Sequence, residues 1–427
     1  MHSLCLGGGL TMAEFETPLG DEAPRNAVLP FLLSAPVAIA CAGGVLLAKG
    51  EAPLVNNWST LTMALTHIGT LGFLTMLMLA AFYVYAPGIL GKRIKAPRLA
   101  FLVYCLYAPG VIALCLGLGG IAVTPVFVAI GTLFPGLIAF FWPAIAALRG
   151  TRAVPFATPL RLAVGSFFAA ATIGIWVAHG HGGMKFPGPR GLWLQLHLSI
   201  ALLGWIGGMA TACFGVISRA QHEPGQGTRS IAERWWGYLT LVGISASCLV
   251  LTFQYFGLAE PSPANTTLVG AIAVFPAAVA GFWLQPFVGL NRLRDRSRPV
   301  MDAQFWRGAF VIAPIASVAG LVAMVQPEPH WRIAFGWIAL WGWAGLIAHA
   351  VMRDLSRRLL GGNANRESSG LDLSYALHVL TLLLGLMAIE WASAPLARVT
   401  GACLIALALV QAARMVADHQ SKSAPSS

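Results

Sequence analysis

The stretch Thr60–Leu90, TLTMALTHIGTLGFLTMLMLAAFYVYAPGIL, has the length and apolarity of a membrane-crossing helix except at one position, His67. At a rise of about 1.5 Å per residue, an imidazole seven residues from the start of such a helix lies roughly 10 Å below one face of the bilayer, inside hydrocarbon. A polar ring at that depth needs a partner: another polar side chain, a water-filled path or a metal. The pattern recurs in Gly191–Ser218, GLWLQLHLSIALLGWIGGMATACFGVIS, where His197 sits at matching depth and is followed by Gly204 and Trp205, as His67 is followed by Gly72 and Phe73.

The whole chain repeats this character. Of its 427 residues 57% are hydrophobic and only 10% charged, too few polar groups to cover a water-soluble globule. Long unbroken apolar runs, rather than ten-residue alternation, predict an all-α polytopic membrane protein and not a barrel. Twelve spans are expected, near 27–50, 60–86, 98–122, 124–149, 159–180, 191–218, 232–258, 266–290, 305–326, 329–353, 372–390 and 393–416. They form one transmembrane domain, 27–416, between an N-terminal segment 1–26 and a polar tail 417–427. The N-terminus is acidic (Glu14, Glu16, Asp21, Glu22) where a cleavable signal would be basic.

The net charge of +11 does not indicate nucleic acid, because the basic residues gather in short connections between apolar runs. All but five of the 27 lysines and arginines (Lys49, Lys185, Arg190, Arg332, Arg398) fall on one side of the twelve-span layout. The positive-inside rule then predicts a multi-pass protein with both termini cytoplasmic; a bacterial inner membrane, with its lipid as a partner, is the expected location. In that layout the second, sixth and tenth spans run in the same direction, and His67 and His197 share the outer half. The tenth opens with Pro329-His330-Trp331 and continues to Gly336-Trp337, a fainter copy of the same pattern. Every fourth span thus carries a histidine followed by glycine and an aromatic residue, as in an internal threefold repeat of four helices.

Three histidine groups carry possible chemistry. Neutral imidazole ligates haem iron and copper, and two imidazoles from separate helices at one depth can take both axial positions of a haem; the competing reading of His67 and His197 is a pair of hydrogen bonds across helices. In WVAHGHGGMKF, His179, His181 and Met184 combine imidazole and thioether in a spacing suited to copper, with His330 as a further ligand, or are solvated residues of a glycine-rich loop. His349 and His378 share the inner half, where they either ligate a second haem or sit hydrated at the membrane rim. The seven cysteines contain no CxxC pair and read as small core residues. Apart from Glu390 no carboxylate or lysine lies well inside a span, and there is no Walker A, Ser-His-Asp arrangement or HExxH, so proton-coupled porters and soluble-type hydrolases have little support.

At THIGTLGFLTMLMLAAFYVYAP and LHLSIALLGWIGGMATACFGV the sequence resembles the small relatives of haem-copper oxidase subunit I and, more distantly, the NnrS-type haem- and copper-containing membrane proteins of the nitric oxide response. The resemblance implies twelve helices in a pseudo-threefold arrangement of four-helix arcs, haem b with copper as a second candidate, and a respiratory redox partner. It makes His67 an axial ligand of a low-spin haem and His197 a copper ligand. The chain departs from the pattern at two places: Ile333–Ala348 lacks the H-x-H of the oxidases' tenth helix, and the helix from Trp235 onward has no histidine. A complete oxygen-reducing centre is therefore not expected. Two alternatives remain: a cofactor-free twelve-helix secondary transporter, whose loop motif GILGKRIKAPR and GLNRLRDRSR weakly resemble, and an oxidase assembly factor that passes on haem or copper.

Overall fold

The computed structural model describes residues 25–122, 124–150, 156–181, 190–219, 231–255, 272–294, 302–326, 328–361 and 372–423. The described residues form helices and short connections, with no strand among them. In chain order the long helices are α1 (Arg25–Lys49), α2 (Thr60–Leu90), α3 (Leu99–Leu118), α4 (Thr124–Leu148), α5 (Ala157–His181), α6 (Trp193–Ser218), α7 (Ile231–Tyr255), α8 (Ile272–Leu293), α9 (Ala303–Val325), α10 (Pro329–Leu360), α11 (Leu373–Glu390) and α12 (Ala394–Ser423). Eleven are long and apolar enough to cross a membrane, and α7 contains a shorter apolar run, Trp235–Val250. The chain is an all-α, multi-pass membrane protein. Two helices run beyond the ends expected from the sequence: α10 to Leu360 rather than 353, and α12 to Ser423, through the segment whose polarity reads as a tail.

Helices suit this composition because each satisfies its own backbone hydrogen bonds without water. Their ends are fixed locally. Ser59 caps α2 by accepting from the Thr62 amide at 3.0 Å, Asp372 caps α11 by accepting from the Ser374 amide at 2.8 Å, and Gly91 and Gly361 end α2 and α10 in the left-handed conformation that glycine adopts without strain.

Burial sorts the helices into two sets. In their apolar centres α2, α6 and α10 are 89, 78 and 67% buried, against 28 to 44% for the other membrane-length helices. These three pack against one another, and the others run round them. Neighbouring outer helices follow the order α1, α3, α4, α5, α7, α8, α9; α11 meets α9 where Phe305 and Tyr375 touch, 5.4 Å between ring centres, and α12 closes the ring against α11 and α1.

The inner helices share a second feature. Each widens into a π-helical stretch: Ile68–Thr75 in α2, Ile200–Ile206 in α6 and Trp337–Gly345 in α10, with a shorter one, Ala280–Leu284, in α8. In α2 and α6 the wide turns begin within three residues of His67 and His197. Such turns shift the hydrogen-bond register and swing side chains out of the ordinary helical order.

Where association lacks a hydrophobic driving force, close packing of small residues holds helices together. At the α1–α12 crossing a Cβ on Gly43 would lie 2.5 Å from the Gly401 carbonyl oxygen, and one on Gly401 2.5 Å from that of Gly43. Gly401→Leu is therefore expected to destabilise the folded protein by about 1–3 kcal/mol, seen as a lowered unfolding midpoint in detergent, whereas Gly44→Leu, where a Cβ meets nothing within 4 Å, leaves the midpoint nearly unchanged.

Candidate functional site

The inner helices and their neighbours enclose a partly open, mainly apolar cavity of about 1510 Å³, and both His67 and His197 line it. The volume exceeds the roughly 300–1,000 Å³ of ordinary small-molecule pockets. Nδ1 of His67 lies 2.7 Å from the Met63 carbonyl oxygen one turn earlier, and Nδ1 of His197 lies 2.9 Å from the Ala170 carbonyl oxygen on α5. A carbonyl can only accept, so in each ring Nδ1 carries the proton and Nε2 keeps its lone pair. That is the tautomer of a metal-ligating histidine, with the other nitrogen tied to the backbone. Among the described residues neither Nε2 has a hydrogen-bond partner.

Glycines shape the space around them. The His197 ring rests on α5 at Gly174, where a Cβ would come within 2.9 Å of Cε1. Gly69 and Gly336, also in the cavity wall, face open space, so a Cβ on either would meet nothing within 4 Å. Trp205 forms part of the wall by stacking on Phe167, 4.4 Å between centres and 16° between planes, and its Nε1 donates to Thr75 Oγ1 on α2 at 3.2 Å. A large apolar space, two lone pairs presented to it and glycine walls fit a flat, apolar macrocycle.

His349 and His378 are brought together elsewhere, with ring centres 4.9 Å apart and planes at 84°. Both are fully buried, and neither lines the cavity. Phe73 and Trp341, which do, stand in between: Trp341 stacks on His378 at 4.5 Å and Phe73 lies 5.4 Å from His349. The two rings touch, which leaves no gap for a haem plane; they are a contacting pair rather than the two sides of a macrocycle, and neither sits hydrated at a membrane rim.

The outer candidates stay apart. His179 is half-buried with Nδ1 held by the Ile175 carbonyl at 2.8 Å. His181 ends α5, but its side chain and the whole of Met184 lie outside the described residues. His330 occupies the first turn of α10 against Trp331, 4.9 Å between centres, and is not in the cavity wall. Among the described residues no group of three or more histidines, cysteines and carboxylates is arranged to hold a metal ion.

One feature has no counterpart in the sequence reading. Arg353, Arg357, Arg358 and Arg414, which look like interfacial charges, are engaged in an ion-pair cluster at the end of α10. Arg353 reaches Asp302 at 2.6 Å and Asp372 at 2.8 Å, Arg357 reaches Asp302 and Arg414 reaches Asp372, each at 2.6 Å, and Asp354 takes Arg358 and the Tyr85 hydroxyl, also at 2.6 Å. Burial acts to raise the Asp372 carboxyl, but hydrogen bonds and charge from Arg414 and Arg353 outweigh it and hold the group well below the usual carboxylate range. The cluster ties together α2, α10, α12 and the starts of α9 and α11. Asp354 pairs with Arg358 within α10, whereas Asp302 and Asp372 come from connections far from their arginines in the chain.

No protein-family model matches the chain, and no curated protein matches it by sequence.

Two outcomes check this geometry. Gly174→Val, which forces the His197 ring off its seat, is expected to cost about 1–3 kcal/mol in detergent unfolding, while Gly69→Ala and Gly336→Ala are neutral or slightly stabilising, since alanine favours helix by about 0.5–1 kcal/mol. Asp372→Asn leaves Arg353 and Arg414 short of a charge partner and is expected to cost about 3–5 kcal/mol. Because the folded carboxyl is held down, its contribution is complete above the unfolded value of about 3.9 and fades as pH falls below it; a pH series of unfolding midpoints should show this loss in the parent and not in the variant.

Proposed function

We propose that the chain is a haem-binding electron-transfer protein of a bacterial inner membrane, with His67 and His197 as the ligands of a haem b held in the cavity. The observation that carries this reading is that two imidazoles from different inner helices open on one apolar cavity, each with Nδ1 fixed by a carbonyl and Nε2 left with its lone pair. A bare hydrogen-bonding role accounts for Nδ1 but leaves both Nε2 atoms without a use. Met63 and Ala170 would orient the rings, Gly174 would seat His197, and Gly69 and Gly336 would let a ring system approach the helix backbones. A haem held there by His67 and His197 would supply one-electron chemistry.

The same reading takes the twelve helices as three four-helix arcs, α1–α4, α5–α8 and α9–α12, each giving one inner helix, as in the haem-copper oxidase subunit I resemblance. The matched π-stretches of α2, α6 and α10 and their shared burial support it. A transporter of two six-helix halves would be expected to place its centre between the halves, not around every fourth helix. The absence of histidines from α7 and from Ile333–Ala348 argues against oxygen reduction. The basic residues on the face that carries both ends of the described chain support cytoplasmic termini, and a respiratory redox protein is the partner expected from the chemistry.

Protein purified from membranes of a haem-producing host is expected to show a Soret band that is lost in His67→Ala and in His197→Ala, with the fold retained by circular dichroism. A colourless, folded parent protein reconstituted with haem to no effect would remove the proposal.

A further inference from the structure

The cavity lined by His67 and His197 also reaches the lipid-facing side of the bundle, between α8 and α9. These two helices meet at one end, where Gly289 of α8 lies against the Phe310 ring of α9 and a Cβ would find no room. Further along, Trp283 Nε1 of α8 donates to Ser317 Oγ of α9 at 3.1 Å. Beyond that bridge, towards the end where α9 finishes and α10 begins, Ile272 and Phe275 of α8 and Leu321 and Val325 of α9 line the cavity, yet each is 54 to 77% exposed. Leu321 and Val325 continue, at helical spacing, an exposed stripe of α9 formed by Val311, Ile315 and Val318, none of which belongs to the cavity wall. Side chains that are at once cavity wall and outer surface mark a crevice through which the cavity is open. In a membrane such a crevice faces acyl chains, so it admits molecules already dissolved in the bilayer.

Arg332, in the first turn of α10, is the one charged residue among the described residues of the cavity wall. It is exposed and, among the described residues, makes no hydrogen bond or ion pair, not even with Glu328 one turn earlier. One turn later on the same face of the helix, Phe335 packs on α9 at Gly320, where a Cβ would lie 3.1 Å from the Phe335 ring. Arg332 therefore stands at the α9 side of the crevice, near its mouth.

We propose that the crevice holds one anionic phospholipid, with an acyl chain lying in the cavity between α8 and α9 and the phosphate against Arg332. The apolar slot selects a chain. A single cation without a carboxylate partner selects a negatively charged head over a zwitterionic one, and a guanidinium can bond the phosphate through two parallel N–H groups. The crevice belongs to α8, α9 and α10 and the proposed haem ligands to α2 and α6, so the lipid site stands whether or not the cavity holds a haem.

The test is native mass spectrometry of the full-length protein, stripped of lipid in detergent and then offered phosphatidylglycerol or phosphatidylcholine with matched acyl chains. The parent is expected to retain one phosphatidylglycerol, preferred over phosphatidylcholine about fivefold. Arg332→Gln is expected to abolish that preference. Ala278→Phe, which fills the slot from the α8 wall, is expected to lose both lipids, whereas Val311→Phe, on the stripe of α9 outside the cavity wall, behaves as the parent. His67→Ala and His197→Ala should leave the lipid in place, which separates a failure of this proposal from a failure of the haem reading. A folded parent that retains no phospholipid, equal retention of the two lipids, a preference that survives Arg332→Gln, or unchanged retention in Ala278→Phe would overturn the proposal. A parent that holds no lipid while Arg332→Gln loosens bound haem would assign the arginine to the haem carboxylates and overturn it as well.

Discussion

Inside a bilayer every polar atom must find its partner within the protein, and this requirement organises the whole molecule. It makes the backbone helical, ties His67 and His197 to carbonyl oxygens, and draws four arginines and three aspartates into one cluster at the end of α10. Some buried polar atoms lack a partner, among them ring nitrogens of His349 and His378 and Nε1 of Trp341, which stacks on His378.

The inner helices convert that requirement into a site. Their π-stretches place wide turns beside the histidines, and groups from neighbouring helices meet them there: Trp205 Nε1 on Thr75, and Trp337 Nε1 on the Leu382 carbonyl at 3.1 Å. The ion-pair cluster anchors the other end of α10 to α9, α11 and α12. The cavity thus lies among the three inner helices, of which α2 and α10 are joined at one end through Tyr85 and Asp354.

The two histidine pairs differ in kind for a physical reason. At the cavity the imidazoles are partly accessible and open on a space large enough for a macrocycle. At His349 and His378 the rings touch and the aromatic rings of Phe73, Phe305 and Trp341 pack against them. Trp341 belongs to both, lining the cavity and stacking on His378, which puts the cavity and the second pair one aromatic ring apart.

Read alone, the sequence determined that the chain is a succession of long apolar helices, eleven of membrane length among the described residues, because apolar run length acts locally along the chain. It also singled out His349 and His378 as a pair. It did not reveal that those two rings touch, that Gly174 seats His197, or that Ala170 orients it, since each of these joins residues of different helices. Arg353 and Arg357 looked like topological charges because their partners Asp302 and Asp372 are distant in sequence; burial and pairing arise only when α9, α10 and α11 pack. The π-stretches were invisible for a related reason: apolar side chains read alike in either register, and it is the fit against neighbouring helices that selects the wider turn.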